Sequence, residues 1–197
     1  MKQKAMEAAL RSIEIEAGAV GDVARYLDRE ALAKAVEAIA LAPRTITCAS
    51  GSSGAAAMKL AHSLCCVERP AKFMPPSEAV HGGLGCVQPG DAVVMVSRGG
   101  KTAELLPIIR VVKHKKATLI GVTENLDSEL ARESDIVLPL RIRCESDKYN
   151  FMATASFAAT IAIFDALLCA LIEETGFQSE QFALIHPGGA VGERLNP

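Results

Sequence analysis

The run Asp91-Ala-Val-Val-Met-Val96 constrains the fold more than any other stretch of the chain. Pro89-Gly90 closes it on one side and Ser97 on the other, so it has the length of a strand and not of an ordinary helix. Ala92–Val96 shows no polar alternation, and a strand built from it needs apolar cover on both faces. Arg44–Ala49, Ala71–Met74, Ala117–Val122 and Asp135–Leu140 read as further short strands. Between them, Ala55–Cys66, Thr102–His114 and Ser128–Ser134 return to helical spacing. Alternation at this pace predicts an α/β fold: a three-layer, doubly wound sheet of about five parallel strands with right-handed crossovers. In such sheets ligands bind outside the carboxyl ends of the strands, where the strand order reverses.

Helices flank this core. The first runs through Ala5–Gly18 and Asp22–Tyr26, the second through Arg29–Leu41, and a long one, about Asn150–Thr175, follows the last strand. The final twenty residues read as irregular apart from one short turn. With 197 residues and no repeat, low-complexity tract or linker, the chain is expected to form one domain, a helical segment 1–42 leading into a core 43–197.

Composition excludes several functions. A formal net charge of -2 supplies no basic field for nucleic acid, and aromatic residues at 4%, with no Trp, leave no platform for stacking bases. Charges interspersed through Met1–Gly18 argue against a signal peptide, and Asp165 interrupts the longest apolar stretch, Ala158–Ile172, which reads as a buried helix and not a membrane span. The six cysteines form no CxxC pair, so neither a zinc site nor a disulfide framework is expected; they read as small buried thiols in a reducing cytoplasm.

Two strand-to-helix loops carry the chemistry. Ala49-Ser50-Gly51-Ser52-Ser53-Gly54 and Ser97-Arg98-Gly99-Gly100-Lys101-Thr102 are both dense in Gly and hydroxyl residues. Glycine lets the backbone approach a ligand, the N–H groups of a following helix attract an anion, and Arg98 and Lys101 add positive charge. One such loop is an ordinary way to turn a chain. Two such loops after consecutive core strands point to a phosphate. Neither is GxGxxG or GxxxxGK[ST], which disfavours dinucleotide and nucleoside-triphosphate sites.

Ser97–Glu104 (SRGGKTAE) resembles the S-N-S-G-x-T/S-x-E loop of the SIS (sugar isomerase) domain family. Pro76-Ser-Glu-Ala-Val-His-Gly-Gly-Leu-Gly85 is similar to the P-x-E-A-x-H-G-D-L-G segment of its arabinose-5-phosphate isomerase branch. Phe182-Ala-Leu-Ile-His-Pro-Gly-Gly-Ala-Val-Gly192 is similar to that branch's F-A-L-x-H-P-G-G-x-L-G ending. The resemblance implies a flavodoxin-like sheet and an aldose–ketose isomerisation of a sugar phosphate through a cis-enediol, with no metal or organic cofactor. By position it implies catalytic roles for Glu104, Glu145, His186 and His81. It puts phosphate and sugar contacts on Ser50, Gly51, Ser52, Ser53, Ser97, Arg98, Gly99, Lys101 and Thr102. It also implies a homodimer or homotetramer with sites shared between subunits. Many members of the branch continue into CBS modules; this chain ends at Pro197, so adenine-nucleotide regulation through them is not expected.

The sequence departs from the family where charge matters. Ser52 stands at the position of the family's loop lysine, Arg98 and Gly99 at those of its Asn and second Ser, and Gly83 at that of the Asp in H-G-D-L-G. A serine cannot neutralise a developing enediolate as a lysine can. A non-catalytic sugar-phosphate sensor and an isomerase of another pentose or hexulose phosphate therefore stand as alternatives.

Overall fold

The computed structural model describes residues 2–195. Five strands, β1 (Thr45–Cys48), β2 (Ala71–Phe73), β3 (Ala92–Val96), β4 (Thr118–Thr123) and β5 (Ile136–Pro139), pair in parallel in the order β2-β1-β3-β4-β5. The doubly wound sheet expected from the alternation is thus present. Its order reverses between β1 and β3, whose register sets Thr45 beside Ala92 and Cys48 beside Met95.

Successive side chains of a strand point to opposite faces, and here each face has its own core. Val94, Val96, Ile120 and Val122 pack with α2 (Arg29–Leu41), α3 (Gly51–Cys65) and α7 (Ala155–Thr175). Val93, Met95 and Leu119 pack on the other side with α5 (Leu106–His114) and the Leu130 side chain of α6 (Glu129–Glu133). The helix α1 (Gln3–Tyr26) lies on α7. α7 is long and apolar enough to cross a bilayer, yet Phe164, Leu167 and Leu171 are fully buried against the sheet and its helices. At the amino end of the sheet the buried Asp91 accepts from Arg44 Nε and Nη2 at 3.2 and 3.1 Å and from the Gln88 N–H at 2.7 Å, which ties β1 to β3 away from the loops.

Several boundaries differ from the sequence reading. α5 begins at Leu106, not Thr102, because Pro107 stands in its first turn. Further inside a helix Pro107 would lack its N–H bond and clash with the carbonyl four residues back. α7 begins at Ala155, not near Asn150, since Asp147 accepts the N–H groups of Tyr149, Phe151 and Met152 and holds that stretch in a loop. The last segment is helical where an irregular chain was expected: α8 (Ser179–Ile185) opens with a reciprocal cap between Gln178 and Gln181, and α9 (Gly189–Leu195) follows. A four-residue helix, α4 (Pro76–Ala79), and a 3-10 turn, Gly83–Cys86, follow β2. The six cysteines are free, and the expectation of buried thiols holds for Cys48 alone; Cys65, Cys144 and Cys169 are exposed. Burial pushes the Cys48 thiol up to about 12, which makes it a core side chain and not a nucleophile.

Candidate active site

At the carboxyl ends of β1, β2 and β3 lies an open cleft of about 540 Å³. One edge is polar, made by Ser50, Gly51 and Glu104. The opposite wall is apolar, made by Met58, Phe73, Pro75, Pro76 and Val80. The Ser50 hydroxyl donates to Glu104 Oε2 at 2.7 Å and so joins the two Ser/Gly loops across the switch point. Glu104 is exposed and lies in the turn before α5.

The second loop is held by its own hydroxyls. Ser97 Oγ and Thr102 Oγ1 share a hydrogen bond of 2.8 Å, and the Gly100 N–H donates to Ser97 Oγ at 3.0 Å. Gly100 is buried with φ +64, and a Cβ there would meet Ser128 Oγ at 1.9 Å, so no other residue fits. Gly99 has open space around it, and Lys101 is exposed. Ser52 and Ser53 occupy the first turn of α3 and, with Arg98, Ser156 and Thr160, line a narrow crevice against the first turn of α7.

Arg98 was expected to offer its charge to phosphate. Instead its Nε donates to Glu124 at 2.6 Å and its Nη1 to Glu145 at 2.7 Å. Glu145 is buried, and its Oε2 accepts from the Thr154 N–H and hydroxyl at 3.0 and 3.1 Å and from the Ser156 N–H at 3.1 Å. Burial pushes the Glu145 carboxyl up, but the hydrogen bonds from Ser156 and Thr154 outweigh it and hold the group below the usual carboxylate range. The N–H of Met152, followed by those of Tyr149 and Phe151, lowers Asp147 likewise.

These two depressed carboxyls give a signed expectation. Their stabilisation is complete above the unfolded carboxylate range of about 4 and is lost as pH falls through their lowered folded values. Thermal unfolding between pH 7 and 3 should show the loss setting in below about pH 4.5, and Glu145→Gln should make that decline shallower. Equal slopes for the two proteins would remove Glu145 as its source.

The histidines do not gather at the cleft within one chain. His81 is exposed and follows Val80 of the apolar wall. His186 stacks on Phe182 with ring centroids 3.8 Å apart, and its Nε2 lies 3.9 Å from Cys66 Sγ, beyond the carboxyl end of α3. That is the length of α3, roughly 20 Å, from the loop that opens the helix. His62 and His114, on α3 and α5, are exposed. Among the described residues no group of three or more His, Cys, Asp or Glu side chains could hold a metal ion. Glu124 escaped the sequence reading, although its place as the first charged residue after the β4 run was a usable signal. At Gly83 a Cβ would lie 2.7 Å from the Glu78 carbonyl oxygen, so the backbone here cannot take the family's aspartate unshifted.

The model of the SIS domain matches residues 38–170. The chain belongs to the SIS domain family. Arabinose 5-phosphate isomerase KdsD of Pseudomonas aeruginosa is 33% identical over 190 residues, 96% of this chain and 58% of that protein. The chain spans about half the length of the curated relatives it matches. A Listeria monocytogenes protein assigned as a sugar-phosphate isomerase is 45% identical, with a TM-score of 0.91 over 95% of this chain and 100% of that one. Escherichia coli CFT073 c3406, solved in complex with A5P, is 28% identical, with a TM-score of 0.87 over 95% of this chain and 100% of that one. The resemblance read from the SIS motifs is thereby borne out.

Proposed function

We propose that this SIS domain binds a sugar phosphate at the two Ser/Gly loops and interconverts its aldose and ketose forms through a cis-enediol. The observation that carries the proposal is the Ser50–Glu104 hydrogen bond, which sets an exposed carboxylate on the edge of the cleft at the switch point. The phosphate docks on the hydroxyls of Ser52, Ser53, Ser97 and Thr102 and the N–H groups at the start of α3, with Lys101 as the nearby cation. Glu104 moves the proton between C1 and C2, as a general base within reach of the cleft. His81 orients a hydroxyl, and His186, remote from its own cleft, assists ring opening in a neighbouring copy. An exposed apolar stripe on α1, Met6, Leu10, Ile13 and Val20, supports such an assembly of like chains. The similarity to arabinose 5-phosphate isomerases supports arabinose 5-phosphate as substrate, and the reaction calls on no cofactor.

One observation favours a second reading, a sensor that binds a sugar phosphate without turning it over. Among the described residues that line the cleft Glu104 is the one that carries charge, and Arg98 is taken up by two carboxylates, so neither offers a cation to a developing enediolate there. Incubation with pentose and hexose phosphates in deuterated water decides between the two. Isomerisation or deuterium incorporation at C1 or C2 is expected for the isomerase; binding without either leaves the sensor.

A further inference from the structure

We infer that Arg98 and Glu145 form a positioning pair, seconded by Glu124, that fixes the 97–102 loop to the first turn of α7, and that neither side chain exchanges a proton with the sugar. The inference rests on the isomerase reading for its activity arm only. Arg98 is held twice. Its side chain reaches Glu124 and Glu145, and its carbonyl oxygen accepts from the Glu124 N–H and the Thr123 hydroxyl, both at 3.0 Å. The loop, the carboxyl end of β4 and the start of α7 thus meet on one residue.

Glu145 is bound as completely. One oxygen faces Arg98, the other accepts three hydrogen bonds, and the side chain is 1% exposed. A general base must bring an unoccupied oxygen within hydrogen-bond reach of the proton it takes. Glu145 could do so only by giving up its bonds from Thr154 and Ser156 or its ion pair with Arg98, whereas Glu104 already lines the cleft with a single donor on it. The planar guanidinium fork suits the pairing: Nε serves one carboxylate and Nη1 the other, a geometry that an ammonium does not reproduce.

A double-mutant cycle of R98M and E145Q tests this, read by isomerisation kinetics and by amide hydrogen exchange without ligand. Displacing a loop by about 1 Å costs on the order of 100-fold, so each single variant should lose about that in kcat/KM. The double variant should lose no more, because two residues that act as one unit are not additive. R98K should behave as R98M does. In the exchange arm R98M should raise exchange at the Thr154 and Ser156 amides, which Arg98 does not touch, by at least about tenfold. Should R98M fail to fold, E124Q removes one carboxylate from the partly exposed end of the same bridge, and a smaller rise at those amides is expected. Loss of kcat in E145Q with KM unchanged, beside an R98M that keeps its kcat, would make Glu145 the base and overturn the inference. So would additive losses, or unchanged exchange at Thr154 and Ser156. If wild-type protein isomerises no sugar phosphate, the isomerase reading fails, and the exchange arm still decides the tether.

Discussion

Glu104→Gln is expected to lower isomerisation by about 10²–10⁴-fold while sugar-phosphate binding changes by less than about threefold. Glutamine matches glutamate in shape, and its carbonyl oxygen can still accept from the Ser50 hydroxyl, so the join between the two loops survives. What it cannot do is hold a proton in transit. The loss should fall on kcat, as for an interaction needed only in the transition state. Ser50→Ala separates the two contributions: it leaves the carboxylate but removes the hydroxyl that aims it, and a loss of about tenfold is expected, within the range of one hydrogen bond to a charged group. Steady-state kinetics with calorimetric binding of the same sugar phosphate reads both. A Glu104→Gln protein with wild-type kcat would move the base elsewhere in the cleft.

Gly100→Ala is expected to cost about 2–5 kcal/mol of stability, combining overpacking with a left-handed backbone that alanine tolerates poorly. The added methyl would come within 1.9 Å of Ser128 Oγ and 2.3 Å of Ser128 Cβ, with Thr123 Oγ1 at 2.9 Å. Ser128 cannot simply move aside, because its hydroxyl accepts from the Ala131 N–H as the cap of α6. The Gly100 carbonyl meanwhile accepts from the Leu130 N–H at 3.2 Å. The phosphate loop is therefore fastened to α6 at this residue, and the substitution should loosen both. Gly99→Ala, one residue earlier, meets nothing within 4 Å and should change stability by less than about 0.5 kcal/mol. Urea unfolding of the pair gives the comparison, and equal midpoints would show that the loop yields at no cost.

The strands were legible because the residues that form them have no alternative: Ala92–Val96 is too short for a buried helix and too apolar for a surface. The start of α5 was also legible in principle, since Pro107 is in the sequence; the helical spacing of Thr102–Leu105 outweighed it wrongly. Glu145 shows the other limit. Its partners lie on two distant segments, Arg98 in the second loop and Thr154 and Ser156 at the start of α7, and a charged hexapeptide, Arg143–Lys148, carries no mark that one of its carboxylates is destined for burial. Family motifs found the positions that matter but not their pairing. The same holds for His186, whose motif is specific and whose place beyond the far end of α3 follows only from how α8 packs.

The pairing of Cys48 with Met95 makes the sheet a ruler for the loops it carries. Two residues on, Ser50 and Ser97 must emerge side by side, whatever side chains follow, because the ladder beneath them is buried and admits no slip. Inserting or deleting a residue in either strand would displace one loop by about 3.3 Å and part Ser50 from Glu104. Exchanging residues within a loop, at positions other than the enclosed Gly100, carries no such penalty. This tolerance is how a serine can occupy the place of a charged residue at Ser52 while the mouth of the cleft keeps its form, leaving ligand chemistry to change by substitution upon an unaltered frame.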